Sequence, residues 1–236
     1  VGAFLYSDDL LDRFPDVRGG VIHATDLAND PTPDDLKNRY LAEQERVKDE
    51  IGDTPLSEIP SLAAWRRVFT GFGVKPTQYR NAAESLLRRL TKRGDIPSIN
   101  LLVDMANLIS IRHRVPIAVF DQRQVSGETT VRFASGEERF TDLGSNTLSA
   151  PEPGEVIFVD DAGVVSARRW CWRQSAGSAA GPETREALMT IEGQHDGAHE
   201  TVASATEDLV SLLREFQPEA LLSRAFMGPA SPRFDF

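Results

Sequence analysis

Apolar positions recur with two different rhythms along this chain of 236 residues. Up to about Arg114 they return every three to four residues, as on a helix with one buried face; beyond it they return every second residue, as on a strand. In the first stretch the pattern predicts a helix over Asp34 to Ile51, launched by the Pro- and Asp-rich NDPTPDD, and a second through SLAAWRRVFTGFG that closes at Gly71 or Gly73. A third runs from about Thr77 to a glycine stop at Gly94, and a fourth starts at Pro97 and Ser98, with Ser98 as its N-cap. A strand, RGGVIHATDL, precedes them all. The second stretch supplies five strands, PIAVFD, TTVRFA, GEVIFVD, GVVSARRW and REALMTIEG, separated by Gly, Asp and Ser turns. A last helix, ETVASATEDLVSLLREF, turns Val202, Leu209, Leu212, Leu213 and Phe216 to the core; SAGSAAGPE (175–183) reads as a flexible loop and GPASPRFDF as a loose tail. This order predicts an α+β fold, with a helical N-terminal part packed on a mixed or antiparallel β-sheet module and a closing C-terminal helix.

The fourth helix carries an odd line. INLLVDMANLISI sets Asn100, Asp104, Asn107 and Ser110 at intervals of four, three and three, on the side opposite Leu101, Met105, Leu108 and Ile109. So narrow a polar stripe is either a buried hydrogen-bond network that fixes the helix against the strands or the lining of a site.

Composition narrows the function classes. No apolar run approaches the roughly 20 residues of a membrane span, and the opening VGAFLYSDDLLDRFPD is too acidic for a signal peptide. A soluble, cytoplasmic protein without a membrane partner is expected. Cys171 is the single cysteine, so neither an intrachain disulfide nor a cysteine-built zinc cluster can form. His195 and His199 have the i, i+4 spacing of metal ligands, but Gly197 and polar flanks suggest a loop or a frayed helix start, and no metal is expected. The chain lacks a Gly-rich phosphate loop and a Gly-x-Ser-x-Gly elbow, which removes support for a nucleotide cofactor and for covalent catalysis.

A net charge of −10 argues against nucleic acid until its distribution is considered. From Trp65 to Arg93 stand eight basic residues, Arg66, Arg67, Lys75, Arg80, Arg88, Arg89, Lys92 and Arg93, against the single acid Glu84, a local +7 that leaves −17 on the rest. Such an island is either a solvated helix face or a localised anion-binding surface.

From Arg89 onward the succession RLTKRG, LVDMAN, VPIAVFD, TVRFASGEE, LGSNTL, VIFVDDAG and T-x6-IE resembles the editing region of the phenylalanyl-tRNA synthetase beta chain, the B-three/B-four module. The positions that match the family's pattern are Val103, Asp104, Asn107, Pro116, Phe120, Asp121, Val131, Arg132, Ala134, Gly136 and Glu137, and the likeness covers roughly Arg88 to Glu192. It implies a helical lead-in with one strand (1–87), an editing module (88–192) and a C-terminal helix and tail (193–236), packed as one unit. It also implies a free-standing aminoacyl-tRNA deacylase that acts in trans, proofreading where binding alone cannot separate similar amino acids. Two departures stand out. Where the family has Pro-Leu-His-Ala-Phe-Asp this chain has Pro116, Ile117, Ala118, Val119, Phe120 and Asp121, so the editing histidine is missing. Where the family has a Gly-Gly-Glu loop that reads the tyrosine hydroxyl, this chain has ARRWCWRQS.

On this reading Asn107 and Arg80 are the candidate catalytic donors, and Glu84, Asn100, Asp104, Arg132, Trp170, Trp172 and Arg173 the candidate substrate-binding residues. Arg66, Arg67, Arg88, Arg89, Lys92 and Arg93 would hold RNA, the partner being the aminoacylated acceptor end of a tRNA, with no cofactor. Plainer roles stand beside these: an i, i+4 ion pair for Arg80 and Glu84, a turn-closing pair for Arg132 and Glu137, and packing for the two indoles if ARRWCWRQS runs as a strand. The competing hypothesis is a non-catalytic binder of RNA or of an amino-acid-like ligand.

Overall fold

The computed structural model describes residues 2–145 and 147–236. In chain order the elements are β1 (Ala3–Tyr6), α1 (Asp8–Arg13), β2 (Arg18–Thr25), α2 (Asp34–Ile51), α3 (Pro60–Gly71), α4 (Ala82–Arg93) and α5 (Leu101–His113). There follow β3 (Ile117–Asp121), β4 (Thr129–Phe133), β5 (Phe140–Thr141), β6 (Leu148–Ser149), β7 (Val156–Asp160), β8 (Val165–Arg168), β9 (Arg173–Gln174), β10 (Ala187–Gly193), α6 (Ala198–Phe216), β11 (Leu221–Met227) and β12 (Arg233–Asp235). The fold is α+β.

Two sheets carry it. One is antiparallel, in the order β11-β2-β10-β3; the other is mixed, in the order β12-β1-β4-β7-β8-β9, with β1 and β4 as its parallel pair. The buried strand β10 shows how they stack. Its residues alternate faces, so Ala187, Met189 and Ile191 join a core with α2, α5 and α6, while Leu188 joins Val21, Phe120, Phe4, Phe158 and Trp170 between the two sheets. Thr190 and Glu192 share the face of Leu188. The glycine pair of β2 makes both approaches possible: a Cβ on Gly20 would collide with Thr206 of α6, and one on Gly19, which faces Glu192 across the ladder, would lie 2.5 Å from the Tyr6 hydroxyl.

Four expectations are corrected. The third helix starts at Ala82 rather than Thr77, because the Asn81 side chain accepts the Glu84 N–H at 2.9 Å and caps it there. The cap of α5 is Asn100, which accepts the Val103 N–H at 3.0 Å, while Ser98 donates its hydroxyl to Asp104 instead. The supposed loose tail, 228–236, supplies β12, which pairs on β1, and the residues before it, given no element from the sequence, pair as β11 on β2. The 175–183 loop is pinned, with Ser178 donating to the Ser166 carbonyl at 2.9 Å and Asn100 to the Ala180 carbonyl at 3.0 Å. No helix among the described residues is long and apolar enough to cross a membrane.

Candidate functional site

A cavity of about 340 Å³ opens where the two sheets part. Strand β3 lines it with Ala118 and Phe120, β7 and β8 with Phe158 and Ala167, and α5 with Val103, Ala106 and Asn107. Helix α4 closes another side with Ala82, Ser85, Leu86 and Arg89, and Trp170 to Arg173 form the fourth; Thr190 and Glu192 of β10 make the floor.

The wall at Trp170 departs from the expected strand. β8 ends at Arg168, after which Arg169 (φ 46°) and Trp170 (φ 61°) both take the left-handed conformation, which costs side-chain-bearing residues about 1–3 kcal/mol each. The surroundings hold this turn in place. Trp170 donates its N–H to the Val156 carbonyl at 2.6 Å, and Ala82, at the start of α4, donates to the Cys171 carbonyl at 2.8 Å. The Arg169 guanidinium lies 4.0 Å from the Tyr79 ring centre and 4.7 Å from that of Trp172, and Arg168 forks onto buried Glu155 at 2.7 and 2.9 Å. ARRWCWRQS therefore does not run as one strand, since the reversal at 169–170 buries Trp170 and sends its indole N–H to the floor.

There it meets Glu192. Trp170 Nε1 donates at 2.9 Å and Tyr6 Oη at 2.7 Å, both to Glu192 Oε1. The carboxyl is buried, and burial pushes its pKa up to about 7 against the pull of those two donors. Burial also pushes the Cys171 thiol well above its usual range, which keeps it protonated and unreactive as a nucleophile.

Outside the cavity, α4 presents Arg88, Arg89, Lys92 and Arg93, and Arg80 stands just before it, along a groove of about 400 Å³ that shares Ser85 and Arg89 with the cavity. Arg88, Lys92 and Arg93 have no ion-pair partner among the described residues, while Arg89 is tied to Asp95 through its carbonyl at 3.0 Å and its carboxylate at 3.6 Å.

Of the residues singled out from the sequence, Asn107, Trp170, Trp172 and Arg173 come together on the cavity, and Arg88, Arg89, Lys92 and Arg93 on the groove. Arg80 reaches the groove but not the cavity; it donates to the Thr77 carbonyl at 2.7 Å and lies 3.5 Å from Glu84. Glu84 is buried on the far side of α4, 2.6 Å from Arg66, and burial raises its pKa despite the two guanidinium groups. Arg67 is exposed on α3 and lines neither. Asn100 and Asp104 lie at the start of α5, with Asp104 accepting from Thr32 at 2.6 Å, from the Ile99 N–H at 2.9 Å and from Ser98. Arg132 pairs with Glu138 at 2.6 Å rather than with Glu137, because the Ser135 and Gly136 N–H groups fold round the Glu138 carboxylate and hold its pKa down at about 2. His195 Nε2 meets the Thr201 hydroxyl at 3.1 Å, and no three His, Cys, Asp or Glu side chains among the described residues cluster as metal ligands.

Sequence reasoning missed Glu192 and Tyr6. The signal for Glu192 was present: in REALMTIEG an acid stands in a strand apolar on both faces, a place where it is retained only with partners.

The phenylalanine–tRNA ligase beta subunit of Shewanella oneidensis is 23% identical over 157 residues, 66% of this chain and 17% of that subunit. The same subunit of Deinococcus radiodurans is 30% identical over 136 residues, 57% of this chain and 16% of the relative. The chain thus spans less than a fifth of the length of these relatives. A crystal structure of an N-terminal fragment of the phenylalanyl-tRNA synthetase beta-subunit from Pyrococcus horikoshii aligns over 94% of this chain and 50% of that one, with 12% identity and a TM-score of 0.48. The sequence profile of the B3/4 domain matches residues 64–219, a span that takes in α4, α5, the cavity floor and all of α6, and the chain belongs to the B3/4 domain family.

Proposed function

We propose that this protein binds the acceptor end of an aminoacylated tRNA, with the amino acid in the cavity and the backbone phosphates on α4, and hydrolyses the ester through a positioned water. One observation carries the reading: an apolar, aromatic-walled cavity opens directly onto a groove of cations, three of them without acid partners among the described residues, and shares Ser85 and Arg89 with it. Phosphate contacts from such cations supply affinity, and the cavity supplies the place for a side chain. The ester would lie at the junction. Water attacking its carbonyl carbon releases the free amino acid and the ribose hydroxyl, and an ester is activated enough that orienting the water and stabilising the oxyanion suffice. Arg89, which lines both cavity and groove, and Asn107, which lines the cavity, serve as the donors, while Arg80, turned toward the groove, belongs to the phosphate side.

One observation favours the second reading, a binder without chemistry. Ala118 occupies the position where the resembled family has histidine, and it lines the cavity. The test is amino-acid release from a panel of correctly and incorrectly charged tRNAs, with Asn107→Ala and the pair Arg88→Ala and Lys92→Ala in parallel. Release from one charged class is expected, slowed about tenfold or more by Asn107→Ala, with the two α4 substitutions weakening tRNA binding and lowering its salt slope by about 1 each. Binding without release over the whole panel would overturn hydrolysis and leave the binder.

A further inference from the structure

All but one of the buried acids among the described residues fall into two groups. Glu43, Glu84, Asp121, Glu138 and Glu155 each meet an arginine, and Asp104 and Asp160 have both carboxylate oxygens bonded by hydroxyl or backbone donors. Glu192 fits neither. Its two donors, a phenol and an indole, are neutral and converge on Oε1, and among the described residues Oε2 has no hydrogen-bond partner and no cation is paired with the carboxyl. That carboxyl forms the floor of the cavity. The arginines of the cavity mouth are bound elsewhere, Arg173 to Asp142 at 2.8 Å and Arg89 to Asp95.

We infer that the cavity is a site for a small organic cation, an ammonium on an apolar body whose N–H groups dock on the unbonded Oε2 of Glu192. An anionic group is repelled there. A neutral hydroxyl satisfies the oxygen but leaves the buried charge uncompensated, whereas an ammonium does both, as arginines do for the other buried glutamates. The apolar body fills the space between Val103, Ala106, Phe120 and Phe158. Arg89 and Arg173 at the mouth then favour a ligand that is cationic within and anionic outside. This inference rests on the proposed seating of an aminoacyl group in the cavity, and it assigns the floor to an amine, either the α-amine that every aminoacyl ester carries or an amine at the end of its side chain.

The experiment titrates the full chain at pH 8 with phenethylamine and n-hexylamine against their neutral partners 2-phenylethanol and 1-hexanol. Heat and the Trp170 indole N–H resonance are the two readouts. The amines are expected to bind at least tenfold tighter than the alcohols and to shift the indole resonance, which reports on the carboxyl they dock against. Glu192→Gln, which keeps shape and both donors' acceptor, is expected to reduce the ratio to about one while leaving alcohol affinity within twofold. Phenylalanine methyl ester, with only an α-amine, and Nα-acetyl-lysine methyl ester, with only a side-chain amine, then tell which amine is read. Equal binding of amines and alcohols, binding of none at millimolar concentration, or an amine preference that survives in Glu192→Gln would each overturn the inference. If that variant does not fold, the wild-type ratio and the indole shift decide alone. Failure here with tRNA binding intact leaves the proposed function standing, and amine binding without tRNA binding does the reverse.

Discussion

Asp104 and Glu192 are both buried acids in apolar surroundings, and they have been completed in opposite ways. Asp104 sits under the first turn of α5, where the helix terminus favours negative charge, and each of its oxygens accepts from the protein. Glu192 lines an open volume, receives two donors on one oxygen and has no partner on the other among the described residues. A saturated carboxylate is a structural device because a ligand has nothing left to bind. A half-saturated one beside a cavity is available, and burial has made it sensitive to whatever arrives. The polar stripe that draws attention in the sequence thus splits, with Asn100, Asp104 and Ser110 spent on the fold and Asn107 alone facing the cavity.

The comparison breaks most directly at Asp104. Asp104→Ala leaves the buried Thr32 hydroxyl without its acceptor and takes one from the Ser98 hydroxyl and the Ile99 N–H, which lie nearer solvent, and a loss of about 3 kcal/mol in urea unfolding is expected. Amine and tRNA binding by the fraction that remains folded should be unchanged. A loss below about 1 kcal/mol would show that water or rearrangement replaces the network and that Asp104 is not the structural member of the pair.

How much of this was legible beforehand follows from what each feature depends on. The helices α2, α3 and α6 and the strands β2, β3, β4, β7 and β10 were readable because period and punctuation are local. β11 was not, since it is an edge strand whose Leu221 and Phe226 stay exposed, and its existence depends on the open side of β2. The reversal at Arg169 and Trp170 was not legible either, because non-glycine residues enter the left-handed region only when distant groups such as Val156, Tyr79 and Glu155 hold them. Stripe and charge island were visible as patterns, but only the packing of α4 on α5 and of α5 on β3 separates the residues that meet at the cavity from Glu84, on the other face of α4, and from Arg80, just before that helix.

A smaller effect sharpens the other member. Glu192 titrates near 7 in the folded chain against an ordinary 4.5, so between those values the folded state holds the proton more tightly and its stability falls as pH rises, by at most about 3 kcal/mol in total. The groups that face it are Tyr6 from β1 and Trp170 and Cys171 from the wall turn; the phenol and the thiol are both pushed up by burial and stay neutral across this range. His195, lowered by burial, works in the opposite direction below about 6.5, and Glu138, Glu43 and Asp208 act in the acid limb, so the quantity to measure is the difference between wild type and Glu192→Gln. That difference is expected to grow in favour of the variant from pH 4.5 to 7 and then level off. A flat difference would mean that Glu192 is not held protonated by its surroundings.

The smallest expected change tests why Glu192 has its donors at all. Gly19 faces Glu192 across the β2–β10 ladder, and a Cβ there would lie 2.5 Å from Tyr6 Oη. Gly19→Ala therefore does not strain the backbone, which is extended and open to any residue; it displaces the phenol from the carboxyl. The loss of one hydrogen bond to a buried charge, partly offset by a lower cost of ordering alanine, predicts about 1–2 kcal/mol of destabilisation. The more telling consequence is a direction. With one of its two donors gone, the ionised form of Glu192 is held less well, so its titration should move further up and the pH dependence of stability should extend above 7. A carbon-13 titration of the Glu192 carboxyl reads this independently of stability. Movement upward identifies Tyr6 as the group that tunes the cavity floor, whereas an unmoved titration would assign that tuning to Trp170 and make the glycine a matter of packing alone.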